Sequence, residues 1–388
     1  MITQMGVEMQ PNKTRVGIDV SAKTLMVVRR REGKEAEQEF VNDAVGHRAV
    51  LKWIGRGTRV ALEATGVYHL QLALMLRAAG VEVMVVNPRV AKDFARALTN
   101  RSKTDRVDAR TLVEYVERME FVAWRAPSEA VLELRELGRR LSELVRIEVE
   151  EKNRLHAKRV SAISKTVVAD VKAHVEQIEK RIKLIETAAV EVVADDADLR
   201  EQFEILKGIR GVGTRSAIEL MTELAVLDPT MSVKQLVAYA GLDPRSYESG
   251  TSVDRPVRIS KMGNARLRAI LYMNALSAVR HDRGARLFFA QLVARGKKKM
   301  QALVAVMRKL LHGIWIVLQR RVAYDSAVLF AASLAQAESS DSAVAATQPQ
   351  SSQGHPKGRS NAEQLREQLD PGSTEATRSR RRKTFKAA

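Results

Sequence analysis

Apolar and polar residues alternate in a way that divides the first part of the chain into short strands and helices. A strand-like period predicts strands over 15–20, 24–30, 37–41, 59–63 and 81–86. A helical period predicts helices over 44–54, 68–79, 90–98 and 104–117. Strands that come first by themselves and then alternate with helices indicate an α/β domain with a mixed sheet. We place this domain at residues 15–125, after a flexible lead-in at 1–14.

In the second region, residues 126–202, a helical period continues over two long runs. Apolar residues recur every three or four positions in two runs: Leu134, Leu137, Leu141 and Leu144, with Leu155 further along, then Val171, Val175, Ile178, Ile182, Ile185, Ala189 and Val192. This spacing predicts two long helices that form an antiparallel hairpin or a coiled coil between subunits. A helical bundle packed within one subunit fits the same pattern.

Residues 203–325 form a third, mainly helical region. Its first part, 206–217, resembles a helix-hairpin-helix motif, in which glycines let the backbone turn tightly and approach a phosphate. A glycine-rich connector without that role is the plainer interpretation. Residues 240–253 have the composition of a loop, and a helix is predicted to begin after Asn264. Serine, alanine, glutamine and charged residues then predict a disordered tail at 335–388, with a basic cluster at 378–383.

The net charge of the chain indicates the class of partner that the protein binds. The formal net charge is +19, and residues 355–388 contribute only +5 of it, which leaves +14 for residues 1–354. A polyanion, and above all nucleic acid, is therefore the expected partner. Aromatic residues make up only 4% of the chain, which favours phosphate contacts over base stacking.

Composition also excludes several classes of protein. The chain has no cysteine, so it has no disulfides and no cysteine-ligated metal. We find no apolar run of membrane-spanning length and no signal-peptide pattern at the N-terminus. We therefore expect a cytoplasmic protein.

Four acidic residues are the strongest candidates for chemistry. Asp105 and Asp108 lie three positions apart at a predicted helix start, so they share one face, although acids there also simply cap a helix. Asp19 and Glu63 each end a predicted strand. If these elements meet, four carboxylates would repel one another unless cations neutralise them, and hard oxygen ligands suit Mg²⁺. Two such ions would activate a nucleophile and stabilise a leaving oxygen at phosphorus.

The acidic set has a known counterpart. The strand around Asp19 resembles the first strand of RNase H-like folds, and the Asp…Glu…Asp-x-x-Asp order resembles the DEDD set of RuvC-type junction nucleases. Glycines and basic residues near these acids and in the third region are predicted to contact nucleic acid: Arg101, Lys103, Arg106, Gly211, Gly213, Arg215, Arg245, Arg258, Lys261, Arg266 and Arg268. A serine among these arginines in the 240–253 segment has the chemistry of a phosphorus nucleophile, although most loop serines only stabilise turns.

The motifs together resemble the IS110 and IS1111 insertion-sequence transposases, which are bridge-RNA-guided DNA recombinases. The resemblance covers roughly residues 15–325 and rests on segments in the same order in both halves: 16–20, 62–68, 86–89, 103–109, 208–213, 241–245, 249–250 and 259–264. It implies a RuvC-like DEDD domain, a coiled-coil connection and a C-terminal transposase domain with a nucleophilic serine. By position the serine is Ser249, with Ser246 and Ser252 close by.

The resemblance further implies DNA strand exchange. Ser249 would form a covalent phosphoserine link, while Asp19, Glu63, Asp105 and Asp108 would hold Mg²⁺ at the same phosphate. Element-end and target DNA, a non-coding bridge RNA and further copies of the chain, as a dimer or tetramer, would be the partners, at the bacterial nucleoid and not at a membrane. Two alternatives remain: a metal-dependent junction endonuclease that uses no serine, and a non-catalytic architectural protein.

Overall fold

The structure is a computed structural model that describes residues 14–98, 104–161, 164–249 and 253–337. For 246–249 and 253–256 it describes the backbone alone. The predicted lead-in except its last residue, Arg101, Lys103, Ser252 and nearly all of the predicted disordered tail lie outside the described residues. The chain divides into two compact units, Met1–Ala331 and Ala332–Ala388. The following description concerns the first unit.

A five-stranded mixed sheet forms the centre of the N-terminal region. Its strands are β1 (Arg15–Val20), β2 (Thr24–Arg31), β3 (Lys34–Val41), β4 (Arg59–Glu63) and β5 (Glu82–Val86). They lie in the order β3-β2-β1-β4-β5. The pairs β1–β4 and β4–β5 are parallel, and β1–β2 and β2–β3 are antiparallel. The predicted mixed α/β sheet is therefore confirmed, with β3 starting three residues earlier than predicted.

Helices cover both faces of this sheet, and the strand period decides which residues meet them. The helices are α1 (Ala44–Ile54), α2 (Leu70–Ala78), α3 (Pro88–Ala97) and α4 (Asp105–Arg118). Val16 and Ile18 are fully buried on one face, in a core that includes Val50 of α1 and Leu72 of α2. Because successive side chains of a strand point to opposite faces, the odd-numbered residues of β1 face the other side, where α4 packs.

The two long periodic runs form helices α5 (Glu129–Ser161) and α6 (Lys165–Asp195). They pair with each other within one chain, as the 2.8 Å ion pair between Lys152 and Glu179 across them shows. Leu155 and Val171 are buried between them. The prediction of an antiparallel helical hairpin is confirmed, and the seam predicted from the spacing is occupied inside the subunit.

The base of this hairpin belongs to the C-terminal core. That core contains α7 (Ala197–Lys207), α8 (Thr214–Leu224), α9 (Val233–Tyr239), α10 (Ala265–His281), α11 (Arg283–Ala294), α12 (Lys299–Arg320) and α13 (Ser326–Leu329). Leu134, Leu141 and Leu144 of α5 are buried in the same cluster as these helices. A Cβ on Gly138 would lie 1.8 Å from the Thr222 hydroxyl oxygen, so α5 and α8 approach closely only because residue 138 is glycine. The predicted boundary at 202/203 falls inside α7.

The prediction of a loop over residues 240–253 is wrong. Pro244–Ser249 is strand β6, and it pairs antiparallel with β7 (Val253–Ile259). The pairing has an irregularity between Arg245 and Tyr247. Pro244 and Gly250 suggested a loop, but Pro244 is the first residue of β6, a position at which a strand tolerates proline.

Among the described residues one helix, α12, is long and apolar enough to meet a membrane-span criterion, with a mean hydropathy of 1.4 over an 18-residue window. About three fifths of that window (61%) is buried inside the protein, and Val306, Leu311 and Ile314 lie in the C-terminal core. This burial is that of a helix packed in a protein core.

Candidate active site

Asp19 and Glu63 lie at the ends of two adjacent parallel strands. Ile18 of β1 pairs with Leu62 of β4, so the next residue of each strand is one of the two acids. Both acids belong to the face that α4 covers, because Gly17 and Ala61, two positions earlier on each strand, contact that side. The mixed sheet thus brings together two acids that lie 44 residues apart in sequence.

Gly17 allows α4 to cross the sheet beside Asp19. A Cβ built on this residue would lie 2.0 Å from the carbonyl oxygen of Ala109 and 2.7 Å from the backbone nitrogen of Val113. No other residue type fits such a backbone-to-backbone contact. Asp108 directly precedes Ala109, so the close approach of α4 is what brings the helix-borne acids to the strand-borne ones. The sequence analysis passed over Gly17, although a glycine inside an otherwise apolar strand signals such an approach.

The start of α4 fixes the orientation of Asp105 and Asp108. Thr104 is the N-cap residue, and its side chain accepts a hydrogen bond from the backbone N–H of Val107 at 3.2 Å. Both aspartates lie in the first turn, where negative charge also interacts favourably with the helix dipole. The capping interpretation and the site interpretation therefore hold together for these two residues.

The four acids share one electrostatic environment. Burial and the charges of Asp105, Asp108 and Glu63 raise the pKa of Asp19 from 3.8 to about 6. Among the described residues, no three Asp, Glu or His side chains already converge as a ready-made metal-ligand cluster. The carboxylates are thus near enough to influence the ionisation of Asp19 without forming a finished ligand cluster. Hard oxygen donors under mutual repulsion fit a divalent cation, which would remove that repulsion.

The basic residues around this set are partly engaged with strand β3. Arg106 forms a close ion pair with Glu37, and Arg110 donates a 2.6 Å hydrogen bond to Glu35. Arg30 bridges Glu35, Glu114 and Glu117 at 2.6–2.9 Å. These contacts hold α4 against β2 and β3, so Arg106 has a structural role beside its predicted contact with nucleic acid.

Comparison with known proteins places the chain in a family. A model of the DEDD transposase domain matches residues 16–158, and a model described as "Transposase IS116/IS110/IS902 family" matches residues 203–290. The chain belongs to the IS110 family of transposases. It is therefore a DNA transposase of an insertion sequence, in a family that also contains DNA-inverting recombinases.

Relatives of the IS110 family match over most or part of the chain. The "Pilin gene-inverting protein" of Moraxella bovis is 26% identical over 325 residues, which cover 82% of this chain and 99% of the relative. The "Transposase for insertion sequence element IS1111A" of Coxiella burnetii is 30% identical over 133 residues, covering 33% and 36% of the two chains. The corresponding protein for IS1328 of Yersinia enterocolitica is 26% identical over 239 residues, covering 55% and 68%.

The family domains place the predicted catalytic residues in separate parts of the chain. The DEDD transposase domain contains all four acids and suggests a requirement for a divalent metal. The second matched domain contains Ser249, which ends β6 and pairs with Val253 of β7. Residues 250–252 connect the two strands, so Ser249 lies at the tip of the β6–β7 hairpin. Ser246 lies within β6.

The predicted helix-hairpin-helix consists of α7, a short connection at 208–213 and α8. Leu206, Ile209 and Ile218 are buried in the C-terminal core. Gly211 has a φ of +90°, and a Cβ there would lie 2.6 Å from the hydroxyl of Ser277 on α10. Gly213 is the N-cap of α8, with nothing near its missing Cβ. Gly211 is thus needed for packing against α10, whereas the space beside Gly213 is open.

The remaining predicted nucleic-acid contacts differ in how far they are engaged with the protein. Arg215 lies 3.1 Å from Glu186, and Arg266 lies 3.5 Å from Glu143. Arg268 donates hydrogen bonds to the backbone carbonyls of Ala240 at 2.9 Å and Gly263 at 3.3 Å, so it ties the start of α10 to the segment before β6. Arg245 contacts the Met262 sulfur. The last two predicted contacts are exposed: Arg258 and Lys261.

Proposed function

We propose that this IS110-family transposase performs site-specific DNA strand exchange in which Ser249 is the nucleophile and the four acids hold Mg²⁺. The observation that carries the proposal is that Asp19 and Glu63 end two adjacent parallel strands on the face that α4 covers, with Asp105 and Asp108 within electrostatic range of Asp19. The strand order and the matched DEDD domain support an RNase H-like, RuvC-like fold for this region.

The proposed reaction exchanges one phosphoester for another. The Ser249 hydroxyl oxygen forms a P–O bond with a DNA phosphate, its proton is lost to solvent or a nearby base, and the sugar oxygen leaves as a hydroxyl. A sugar hydroxyl of the second DNA then attacks the phosphoserine and restores a phosphodiester and the free serine. The number of P–O ester bonds is unchanged, so no external energy source is needed.

Asp19, Glu63, Asp105 and Asp108 are the residues that would bind the metal. A divalent cation there would stabilise negative charge on the phosphate oxygens when bound. The close packing of α4 on Gly17 orients the two aspartates, and the cap at Thr104 keeps the first turn of α4 formed. Ser249 arises from a different domain, so the hairpin and the acidic site have to meet on the DNA, within one chain or between copies of it.

The names of the relatives support DNA strand exchange as the reaction. One relative is named for inverting a pilin gene and others for transposing insertion sequences, and both outcomes follow from exchanging DNA strands at chosen sites. We propose that DNA ends and a target are the substrates, that a non-coding bridge RNA selects them, and that the protein acts as a dimer or tetramer. The family resemblance supports the RNA and the oligomer.

The test compares the wild type with Ser249→Ala on element-end DNA, the flanking non-coding RNA and Mg²⁺. We expect the variant to lose strand exchange by at least about a thousandfold and to lose the covalent protein–DNA adduct, because a nucleophile has no substitute. Ser246→Ala is the matched control on the same strand and should keep both. DNA cleavage that survives Ser249→Ala without an adduct would instead establish a metal-dependent nuclease. DNA binding with no cleavage by either protein would establish an architectural role.

A further inference from the structure

A cluster of arginines lies where α5, α8, α9 and α10 meet, away from the four acids. Arg135 and Arg139 are one helical turn apart on α5, and Arg266 lies in the first turn of α10. Gly138 brings this part of α5 against α8, where Glu223 is almost completely buried, at 1% exposure. The Arg139 guanidinium lies 3.5 Å from the Glu223 carboxylate.

Positive charge exceeds negative charge in this cluster. Its arginines are Arg135, Arg139, Arg140 and Arg266. The acids paired with them are Glu223, beside Arg139, and Glu143, which lies 3.4 Å from Arg140 and 3.5 Å from Arg266. Four positive groups against two negative groups leave two charges that these ion pairs do not balance.

Each of the three central arginines is placed at a cost in stability. Like charges four residues apart on a helix repel, as Arg135 and Arg139 do. A positive side chain in the first turn of a helix, such as Arg266, opposes the helix dipole. The Nε atoms of Arg135 and Arg139 are buried and have no hydrogen-bond partner among the residues that the structure describes. Burial and the charge of Arg139 also lower the pKa of Arg135.

The floor of the cluster is a fixed polar network. Asn264 donates hydrogen bonds to the Glu223 carboxylate at 2.6 Å and to the Tyr239 hydroxyl at 3.0 Å. Its side-chain oxygen accepts from the backbone N–H groups of Arg266 and Leu267 and caps α10. Asn264 therefore uses its donors and its acceptor to hold α8, α9 and α10 together beneath the arginines, which keeps the cluster preorganised.

The cluster lies beside the hairpin that carries Ser249. Asn264 follows the end of β7 by five residues, so the network lies at the base of the hairpin that carries Ser249. Burial and, to a smaller extent, the charge of Arg135 lower the pKa of His69, which lies six residues after Glu63. An anion bound here would contact the C-terminal core at the base of this hairpin.

We infer that Arg135, Arg139 and Arg266 form a binding site for a backbone phosphate of the nucleic acid on which this transposase acts. The guanidinium groups offer forked donors that match a phosphodiester, and the side chains of Arg139 and Arg266 are 34% and 43% exposed, so the site is open to a strand. The inference rests on the proposed action on nucleic acid but not on the identity of the nucleophile. DNA and guide RNA carry the same phosphodiester, and the test distinguishes them.

The test measures binding of a labelled DNA duplex, and separately of a single-stranded RNA of the same length, at several salt concentrations. We expect Arg135→Gln with Arg139→Gln to weaken binding about tenfold or more at physiological salt, because two charged hydrogen bonds are lost. The slope of log K against log salt should become shallower by about 1 for a duplex, since one neutralised phosphate contributes about 0.9. Arg181→Gln, an exposed arginine of α6, is the matched control and should leave the slope unchanged.

Further variants separate charge from folding. Arg135→Lys with Arg139→Lys keeps both charges and should retain most of the slope. If the guanidinium groups had a purely structural role, the double Gln variant and the double Lys variant would both lose binding. In the wild type, bound DNA or RNA should protect Arg135 and Arg139 from phenylglyoxal, measured by mass spectrometry. The nucleic acid bound at this site is the one that protects the two arginines and for which the Gln variants reduce the slope of log K against log salt.

An unchanged slope on both nucleic acids, or modification of these arginines that neither ligand slows, would overturn the inference. Loss of strand exchange at an unchanged slope would also overturn it and would leave the proposed function standing. The reverse result, a reduced slope in a protein whose wild type shows no strand exchange, would support the phosphate site and contradict the proposed function.

Discussion

The two regions that carry the candidate chemistry are built in opposite ways. The acidic site lies on a five-stranded sheet, where each acid is held by a packed element and a glycine sets the distance between α4 and β1. Ser249 ends one strand of a two-stranded hairpin, a structure that gains little stability of its own. A residue on a sheet is positioned by folding, whereas a residue at a hairpin tip is positioned by what the hairpin contacts.

This difference suggests a division of labour. Folding brings the acids near one another, and burial and their mutual repulsion raise the pKa of Asp19. The hairpin instead has its base fixed by Arg268 and Asn264, while its tip extends to the three-residue connection at 250–252. In the mechanism proposed above, an acidic site on a sheet and a nucleophile at a hairpin tip would allow Ser249 to react only after DNA has been bound.

Asp19→Asn should produce the largest change, with opposite effects on activity and on stability. We expect strand exchange to fall about a thousandfold, the scale of a lost electrostatic stabiliser. Because burial and like charges raise its pKa in the folded state, ionised Asp19 destabilises the fold, and the unfolding free energy of the metal-free protein should decrease as pH rises from about 4 to about 6. Asparagine removes this charge and should stabilise the metal-free protein at pH 7 by about 1 kcal/mol after solvent screening.

Denaturant unfolding in the presence of a chelator measures this gain at pH 7, and it should vanish below pH 4, where both proteins are uncharged at residue 19. Mg²⁺ should then stabilise the wild type more than the variant. Asp93→Asn makes the same chemical change on exposed α3 and should alter neither activity nor stability by much. Full activity of Asp19→Asn would remove the acidic site from the mechanism.

Gly17→Ala should come second, because it acts on the packing that assembles the site. The added methyl would overlap the Ala109 carbonyl, so α4 would have to move away from β1, at a cost of about 3 kcal/mol in unfolding free energy. Displacement of Asp105 and Asp108 should lower strand exchange about a hundredfold. Gly213→Ala adds the same methyl in open space and should cost less than about 1 kcal/mol. Equal costs at the two glycines would show that α4 is not held as closely as we describe.

The same contrast separates what could be predicted from sequence from what could not. Strand ends, helix starts and their acids follow from hydrophobic period and spacing, so Asp19, Glu63, Asp105 and Asp108 could be predicted before the fold was known. The choice between pairing of α5 with α6 inside one subunit and a coiled coil between subunits could not be made from the sequence, because a heptad seam is the same in both. The hairpin at 244–259 was missed because proline and glycine weaken strand signals at its start and turn.

The arginine cluster could not be predicted from the sequence for a different reason. Arg135, Arg139, Glu223 and Asn264 come from three helices, and no spacing along the chain relates them. In the sequence, Arg135 and Glu136 look like part of an ordinary charged helix face. Arg135 is half-buried because α5 approaches α8 closely at Gly138. Tertiary contacts that depend on one small residue leave almost no trace in a single sequence.

Thr104→Ala tests the local part of the acidic site at a smaller scale. Loss of the N-cap hydrogen bond to Val107 should lower the unfolding free energy by about 1 kcal/mol. Fraying of the first turn should also loosen Asp105 and Asp108 and reduce strand exchange about tenfold. Asp43→Ala removes the cap of α1, which packs on the opposite face of the sheet, and should cost similar stability without that loss of activity. If both variants reduce strand exchange equally, the effect is global destabilisation and not orientation of the acids.

Glu37→Gln should have the smallest effect and decides how Arg106 is used. The substitution releases Arg106 from its ion pair, and a surface pair contributes less than about 1 kcal/mol, so stability should barely change. If Arg106 contacts nucleic acid as its position beside Asp105 predicts, the added net charge should raise affinity for duplex DNA about twofold, more so at low salt. The matched variant Glu32→Gln removes an exposed acid at the β2–β3 turn, with the same change in total charge. Equal gains in the two variants would reflect net charge alone, whereas a gain specific to residue 37 would place Arg106 on the DNA path beside the acidic site.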